Sequence, residues 1–235
     1  MIRFGNSSDK TELKKLWQST FLEDEAVTER FFNSIWNDTI TPVYCVDEKI
    51  VSSLFLLPCK IGKYIGKCIY CAQTAFTHRG KGYMKELLDF SYEYIKNENL
   101  DFLFLVPAES SLFDYYEKCG FEKFGIHRVF ENKGEIPQTE PFLYDCELSF
   151  EDNIVEYWQN SCICYGGKIE SYGLVFEDEQ TIIRNAWGDF ENFKDYENAL
   201  IQGKMSFGEA KFPAMIKTEN ENIKNIRCYI GITLE

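Results

Sequence analysis

The stretch Cys71-Ala72-Gln73-Thr74-Ala75-Phe76-Thr77-His78-Arg79-Gly80-Lys81-Gly82-Tyr83-Met84, followed directly by Lys85-Glu86-Leu87-Leu88, constrains this chain more than any other. It reads as a strand, a tight glycine turn and the start of an amphipathic helix. Such a turn leaves the backbone N–H groups from Arg79 to Met84 at a helix N-terminus, where the helix itself offers them no acceptor. The helix dipole adds partial positive charge at the same place. The turn therefore suits a phosphate or pyrophosphate. Gly80 and Gly82 carry no Cβ, so a ligand can approach the backbone closely.

The residues before and after this turn alternate between strand and helix periods. Ile2-Arg3-Phe4 reads as a first strand, and Asp9 with Glu12 resembles a helix-start capping signal. Leu13, Leu16, Trp17 and Phe21 recur at helical spacing, as do Val27, Phe31, Phe32, Ile35 and Trp36, with the acidic Glu23-Asp24-Glu25 between them. Val43 to Val46 and Ile50 to Leu57 form a hairpin around Asp47-Glu48-Lys49, and Lys67 to Phe76 is the strand that feeds the glycine turn. A helix follows to about Lys96, then the continuous apolar run Phe102 to Val106, a helix over Ser110 to Lys118 stopped by Cys119-Gly120, and an extended Phe121 to Phe130. The expected order is β-α-α-β-β-β-α-β-α-β.

Residues 131–141 are polar, contain Pro137 and Pro141, and read as a linker between a first unit, 1–130, and a second, 142–235. The second unit reads as a worn copy of the first. Tyr157-Trp158-Gln159-Asn160-Ser161 echoes Leu16-Trp17-Gln18-Ser19, and Cys162-Ile163-Cys164-Tyr165 to Lys168-Ile169 echoes the strand and turn from Val43 to Ile50. A hairpin partner over Glu170 to Phe176, a strand over Gln180 to Trp187, a helix over Phe190 to Ile201 and a last strand over Arg227 to Leu234 complete the pattern. Gly188-Asp189-Phe190-Glu191 stands where the glycine turn would be, and its carboxylates would repel a pyrophosphate. Any phosphate site thus belongs to the first unit.

Composition excludes several classes. Hydrophobic residues make up 45% of the 235, with 20 Phe, 14 Tyr and 4 Trp, enough for a packed core rather than a disordered chain. No apolar run approaches the roughly 20 residues of a spanning helix, and the first residues lack the apolar segment of a signal peptide. A cytoplasmic protein without membrane contact is expected. The nine cysteines are irregularly spaced with no C-x-x-C, and there are only two histidines, His78 and His127, so reduced thiols and no metal site are expected. As a strand, Cys162-Ile163-Cys164 would place both thiols on one face. A net charge of −13 disfavours nucleic acid and favours a cationic small molecule.

Together these residues resemble the GCN5-related N-acetyltransferase (GNAT) superfamily over roughly residues 1 to 130. Arg79-Gly80-Lys81-Gly82-Tyr83-Met84 is similar to the family's R/Q-x-x-G-x-G/A loop, departing at Met84, where the Eis-like branch also carries a bulky residue. Tyr116-Glu117-Lys118-Cys119-Gly120-Phe121 matches a second hallmark, an aromatic four residues before Gly-Phe. The resemblance implies an α/β (α+β) fold: a mixed, twisted sheet with helices on both faces, whose central strands splay at a bulge to admit pantetheine, followed here by a smaller degenerate unit. It implies acetyl-CoA as co-substrate and no metal. Ala72, Gln73 and Thr74 would line the acyl end, Arg79, Gly80, Lys81, Gly82, Tyr83 and Met84 would hold the pyrophosphate, and Tyr116 would be the acid that serves the departing thiolate.

The acceptor implied is the primary amine of a small cationic molecule, attacked directly within a ternary complex, since no cysteine occupies a nucleophile motif. Aminoglycoside, polyamine, amino acid and peptide remain open. So does the base: Glu109, the Glu23-Asp24-Glu25 loop and, by resemblance to Eis-like enzymes, the terminal carboxylate of Glu235 are candidates. A non-catalytic acyl-CoA-binding or regulatory module is the alternative reading. The two units fit either a monomer or a homodimer.

Overall fold

Apolar residues at helical and strand spacing sort onto the two faces of a mixed sheet. The computed structural model describes residues 1–36, 40–132, 145–164, 168–170, 173–176, 182–186 and 205–230. The first part of the chain runs β1 (Ile2–Phe4), α1 (Lys10–Phe21), α2 (Glu25–Ser34), β2 (Pro42–Val46), β3 (Lys49–Ile61), β4 (Tyr64–Thr74), α3 (Tyr83–Asn97), β5 (Phe102–Leu105), α4 (Phe113–Lys118) and β6 (Glu122–Asn132). This is the expected order. Then come β7 (Cys146–Phe150), α5 (Asp152–Cys164), β8 (Lys168–Glu170), β9 (Gly173–Phe176), β10 (Ile182–Ala186), β11 (Met205–Lys217), α6 (Glu221–Lys224) and β12 (Cys228–Tyr229).

The buried stripe of α1, Leu13, Leu16 and Trp17, packs with Phe31 and Phe32 of α2 over one sheet face, where Phe55 and Leu57 of β3 meet them. The opposite face buries Leu87, Leu88 and Ile95 of α3 against Leu54, Leu56, Leu103 and Leu105. β3 is therefore covered on both sides, which is why it reads as a continuous apolar run rather than an alternating one. The capping residues of the first helical segment lie one turn earlier than the sequence suggests. Asn6 and Asp9 form a reciprocal capping box, whereas Glu12 accepts the Ile50 N–H at 3.0 Å.

The nine-stranded sheet has the order β1-β2-β3-β4-β5-β11-β6-β12-β7. β11 lies between β5 and β6 and is antiparallel to both, with Met215 opposite Leu105 and Met205 opposite Asn132. β7 also pairs with β3, Cys59 facing Phe150 and Ile61 facing Leu148, so the pairings from β3 through β7 return to β3. One sheet is thus drawn from residues on both sides of the segment 131–141. β8, β9 and β10 make a separate antiparallel sheet.

One local expectation is corrected. α5 continues through Cys164, so the backbone at Cys162-Ile163-Cys164 is helical rather than extended. A short apolar run satisfies either period, and here the helix started at Asp152 extends across it. The helix expected over 190–201, residues 133–141, Glu235 and the side chain of His127 lie outside the described residues.

Candidate active site

Strands β4 and β5 run parallel, but their pairing is short. It holds at Gly66–Phe102, Lys67–Leu103 and Cys68–Phe104, and β4 then continues to Thr74 with no strand paired to that edge among the described residues. Ser53 faces Gln73 and Phe55 faces Tyr70, so two steps along β3 match three along β4. The extra residue is accommodated at Cys71, whose φ is +48°. A bulge bends the strand that carries it, and on its other edge β4 has no β5 pairing beyond Cys68 among the described residues. At the closed end Gly66 is required for a different reason. A Cβ there would come within 2.5 Å of the Phe102 carbonyl oxygen.

The bulge also decides which side chains face where. Tyr70 and Cys71 both pack toward the α1/α2 face, while Ala72 packs against the α3 cluster. Gln73 is 1% exposed; its amide Nε2 donates to Ser53 Oγ at 2.9 Å, and its Oε1 is buried without a hydrogen-bond partner. Ser52 Oγ donates to the Gln73 carbonyl and shares a 2.8 Å hydrogen bond with Thr74 Oγ1. Ala72, Gln73 and Thr74 therefore stand together on the half of β4 beyond its β5 pairing.

A 3-10 turn, Phe76–His78, leads from β4 to the glycine turn. Gly80 and Gly82 take φ of +75° and +85°, the left-handed region that glycine adopts without penalty, and nothing lies within 4 Å of where either Cβ would be. The turn is therefore open to a ligand. The first helical bond is Glu86 N–H to Gly82 C=O at 3.1 Å, so the six N–H groups from Gly80 to Lys85 have no acceptor among the described residues. The Arg79 N–H is used, donating to Phe76 at 3.3 Å. Its guanidinium folds back, Nε donating to the Thr74 carbonyl at 3.2 Å with the charge over the Phe76 ring. Lys81 is exposed. The Tyr83 ring stacks on Tyr44 at 4.3 Å, and Met84 is half-buried against the α3 cluster.

Tyr116 lies in α4, 8% exposed, within the cluster that also holds Leu105, Ala72 and Met84. Its spacing to Gly120 and Phe121 has a backbone explanation. Phe121 N–H donates to the Tyr116 carbonyl at 3.1 Å and Gly120 N–H to Glu117 at 2.9 Å, with Gly120 at φ +85°. This is a Schellman helix end, and the Tyr116 and Phe121 rings make its customary apolar contact, centroids 5.9 Å apart. The motif thus fixes where Tyr116 sits. Burial, with a smaller contribution from Cys119, pushes its phenol up to about 12. Its neighbour Tyr115 is half-buried against the same cluster.

Sequence reasoning missed the wall on the α1/α2 face. The Tyr70 ring stands edge-on to Trp158 of α5, centroids 6.3 Å apart, and packs with Cys71 against the cluster that holds Tyr157. Burial raises both the Tyr70 phenol and the Cys71 thiol, and the Glu23 carboxylate nearby raises Cys71 further. Of the acidic loop, Glu23 is the carboxylate whose charge acts on Cys71. Nothing local in the sequence signals this, because the contact joins residues far apart in the chain. Glu109 is exposed and accepts from Ser111 Oγ at 3.2 Å; His78 bonds Thr77 Oγ1 at 2.9 Å. A shallow depression of about 350 Å³ lined by Tyr92, Lys96, Asp101 and Glu219 lies at the other end of α3, away from these groups.

Comparison with known proteins bears on the family and the fold. The family model for the acetyltransferase (GNAT) domain matches residues 1–124. A probable N-acyltransferase from Enterococcus faecalis is similar in structure over 93% of this chain and 72% of its own, at 11% identity and TM-score 0.66. Eis1 from Mycobacterium abscessus is similar over 93% of this chain and 73% of its own, at 9% identity and TM-score 0.65. A GCN5-related N-acetyltransferase from Anabaena variabilis matches 55% of this chain at 19% identity and TM-score 0.48; the chain spans 33% of its length. No curated protein matches the chain.

Proposed function

Because this chain belongs to the acetyltransferase (GNAT) family, we propose that it transfers the acetyl group of acetyl-CoA to the primary amine of a small cationic acceptor, by direct attack in a ternary complex. The observation that carries this reading is the pairing of two openings. β4 loses β5 beyond Cys68, and six N–H groups wait without acceptors at the start of α3, just past the end of the same strand. The diphosphate takes the N–H groups of Gly80 to Lys85, the exposed Lys81 adds charge, and pantetheine lies in the gap along Ala72, Gln73 and Thr74. Each hydrogen bond to a charged oxygen contributes about 1.5–3 kcal/mol.

Tyr116 then serves the leaving sulfur. At about 12 its phenol stays protonated through the neutral range. An alkyl thiol in water titrates at about 8.5, below the phenol, so full transfer of the phenolic proton to the thiolate is disfavoured. Tyr116 therefore works by donating a hydrogen bond that strengthens as negative charge grows on sulfur. The proton that finally reaches sulfur derives from the attacking amine. The acceptor approaches from the α1/α2 side, past Tyr70, Cys71 and Glu23, and the net charge of −13 favours a cation there.

Thiol release from acetyl-CoA, measured with an aminoglycoside, a polyamine, an amino acid and a peptide, tests the reading. Release above the rate in water with at least one amine is expected. Coenzyme A binding without release for any of them would make the chain an acyl-CoA-binding or regulatory module.

A further inference from the structure

Lys217 ends β11, the strand that reaches the sheet from the far part of the chain. Its side chain is largely buried, 16% exposed, and it joins two helices. Nζ donates to the carbonyl of Cys119 at 2.9 Å and lies 3.3 Å from Asp89 Oδ1 of α3. It also sits over the Tyr92 ring of α3 at 4.7 Å and the Phe121 ring at 5.8 Å. Asp89 is held on its other side by Lys85 in the first turn of α3, at 2.7 Å. Burial raises the Asp89 carboxyl, but the hydrogen bonds from Lys85 and Lys217 outweigh it and leave it below its ordinary value.

These contacts form a continuous path. It starts at Lys85, beside the open N–H groups, passes through Asp89 and Lys217, and ends on the cap carbonyl of the helix turn that carries Tyr116. Cys119 is the residue between the last helical position and Gly120, so its carbonyl is one that helix geometry leaves without an intrahelical donor. Lys217 supplies that donor, and its stem packs beside Gly120, 3.3 Å from where a Cβ would stand. A short helix of six residues has little stability of its own and depends on such tertiary anchors.

We propose that Lys217 is a positioning residue for Tyr116: it holds the α4 helix end at a fixed distance from α3, and so holds the phenol in register with the thioester of a cofactor whose diphosphate α3 carries. The inference rests on the role of Tyr116 given above. It makes the segment 205–217 part of the active-site scaffold of the first unit. Displacement of a catalytic group by about 1 Å costs on the order of 100-fold in rate. Lys217→Met keeps the apolar stem but loses the donor and the charge.

The test is a double-mutant cycle with Tyr116→Phe, read as thiol release from acetyl-CoA with the fastest amine of the panel, or with water as acceptor, alongside coenzyme A affinity by calorimetry. Lys217→Met should lower kcat about 10- to 100-fold with coenzyme A affinity held within about two-fold, and should have no further effect in the Tyr116→Phe background. Lys217→Arg, which can reach both partners, should restore most of kcat. Equal losses from Lys217→Met in both backgrounds would overturn the inference and leave the role of Tyr116 standing. A Tyr116→Phe enzyme with full kcat would remove the role of Tyr116 and this inference with it. If Lys217→Met fails to bind coenzyme A because it does not fold, Asp89→Asn takes its place in the cycle. The inference then requires a kcat loss in the wild-type background only, and equal loss in both backgrounds overturns it.

Discussion

The two halves of β4 obey opposite rules. From Gly66 to Cys68 the strand is paired on both edges, and glycine at position 66 lets Phe102 press directly on its backbone. From Ile69 to Thr74 it keeps only β3, carries a bulge at Cys71 and exchanges apolar side chains for Gln73 and Thr74. The first half uses its hydrogen-bonding groups on both edges; the second leaves one edge unpaired among the described residues. The lesson is that an open strand edge need not be carved from a core. One inserted residue in β4 follows the point where β5 stops pairing, and the turn after it leaves six N–H groups without acceptors among the described residues.

Perturbing the closed half should break the fold, and perturbing the open half should break function alone. The largest effect is expected for Gly66→Ala, whose Cβ must push against the Phe102 backbone and ring. A loss of about 3 kcal/mol, read as a lowered urea midpoint, is predicted; an unchanged midpoint would mean that the two strands are not held this closely. Next comes Tyr116→Phe, for which kcat should fall about 100-fold with coenzyme A affinity and urea midpoint unchanged. Unaltered kcat would reduce Tyr116 to the apolar contact of a helix end.

Gly82→Ala should be milder. A left-handed φ of +85° costs an alanine about 1–2 kcal/mol, and the turn relaxes by redirecting the N–H groups. Coenzyme A affinity should drop about 10-fold in calorimetry, with the urea midpoint little changed. Loss of stability without loss of affinity would place the diphosphate elsewhere. The smallest effect lies far from both halves, at the Arg3–Asp9 pair. The hydrogen bonds from Arg3 hold the Asp9 carboxyl below its ordinary value despite burial. A carboxyl lowered on folding contributes stability that is full above its unfolded value of about 4 and is lost as pH falls through the lower folded value. Asp9→Asn should therefore flatten the acid limb of a stability–pH curve by roughly 1 kcal/mol, and a limb of wild-type steepness would contradict it.

How far the sequence discloses this layout depends on the range of the interactions. Local signals were legible. The strand–turn–helix around Gly80 and Gly82, the stop at Cys119-Gly120 and the buried stripe Leu13, Leu16 and Trp17 each rest on residues within a turn or two of one another. The Tyr116–Gly120–Phe121 spacing was legible too, because a Schellman end writes its own residue pattern. What joins distant segments was not. Nothing near Met205 says that β11 will slip between β5 and β6, and the 3.3 Å approach of Lys217 to Asp89 has no sequence signature. The bulge at Cys71 needs a one-residue mismatch between two strands, which neither strand shows alone. Cys162-Ile163-Cys164 misleads because three apolar residues fit a strand as well as the last turn of α5.

The central claim is that the free N–H groups at the start of α3 clasp a diphosphate whose pantetheine arm lies along the open half of β4. Calorimetric titration of the intact protein with coenzyme A and, in parallel, with pantetheine tests it most directly. Losing two charge-assisted hydrogen bonds of about 1.5 kcal/mol each weakens binding on the order of 100-fold. Saturable binding of coenzyme A with pantetheine at least that much weaker is the predicted result. Equal affinity for the two, or no heat with coenzyme A, would contradict the account.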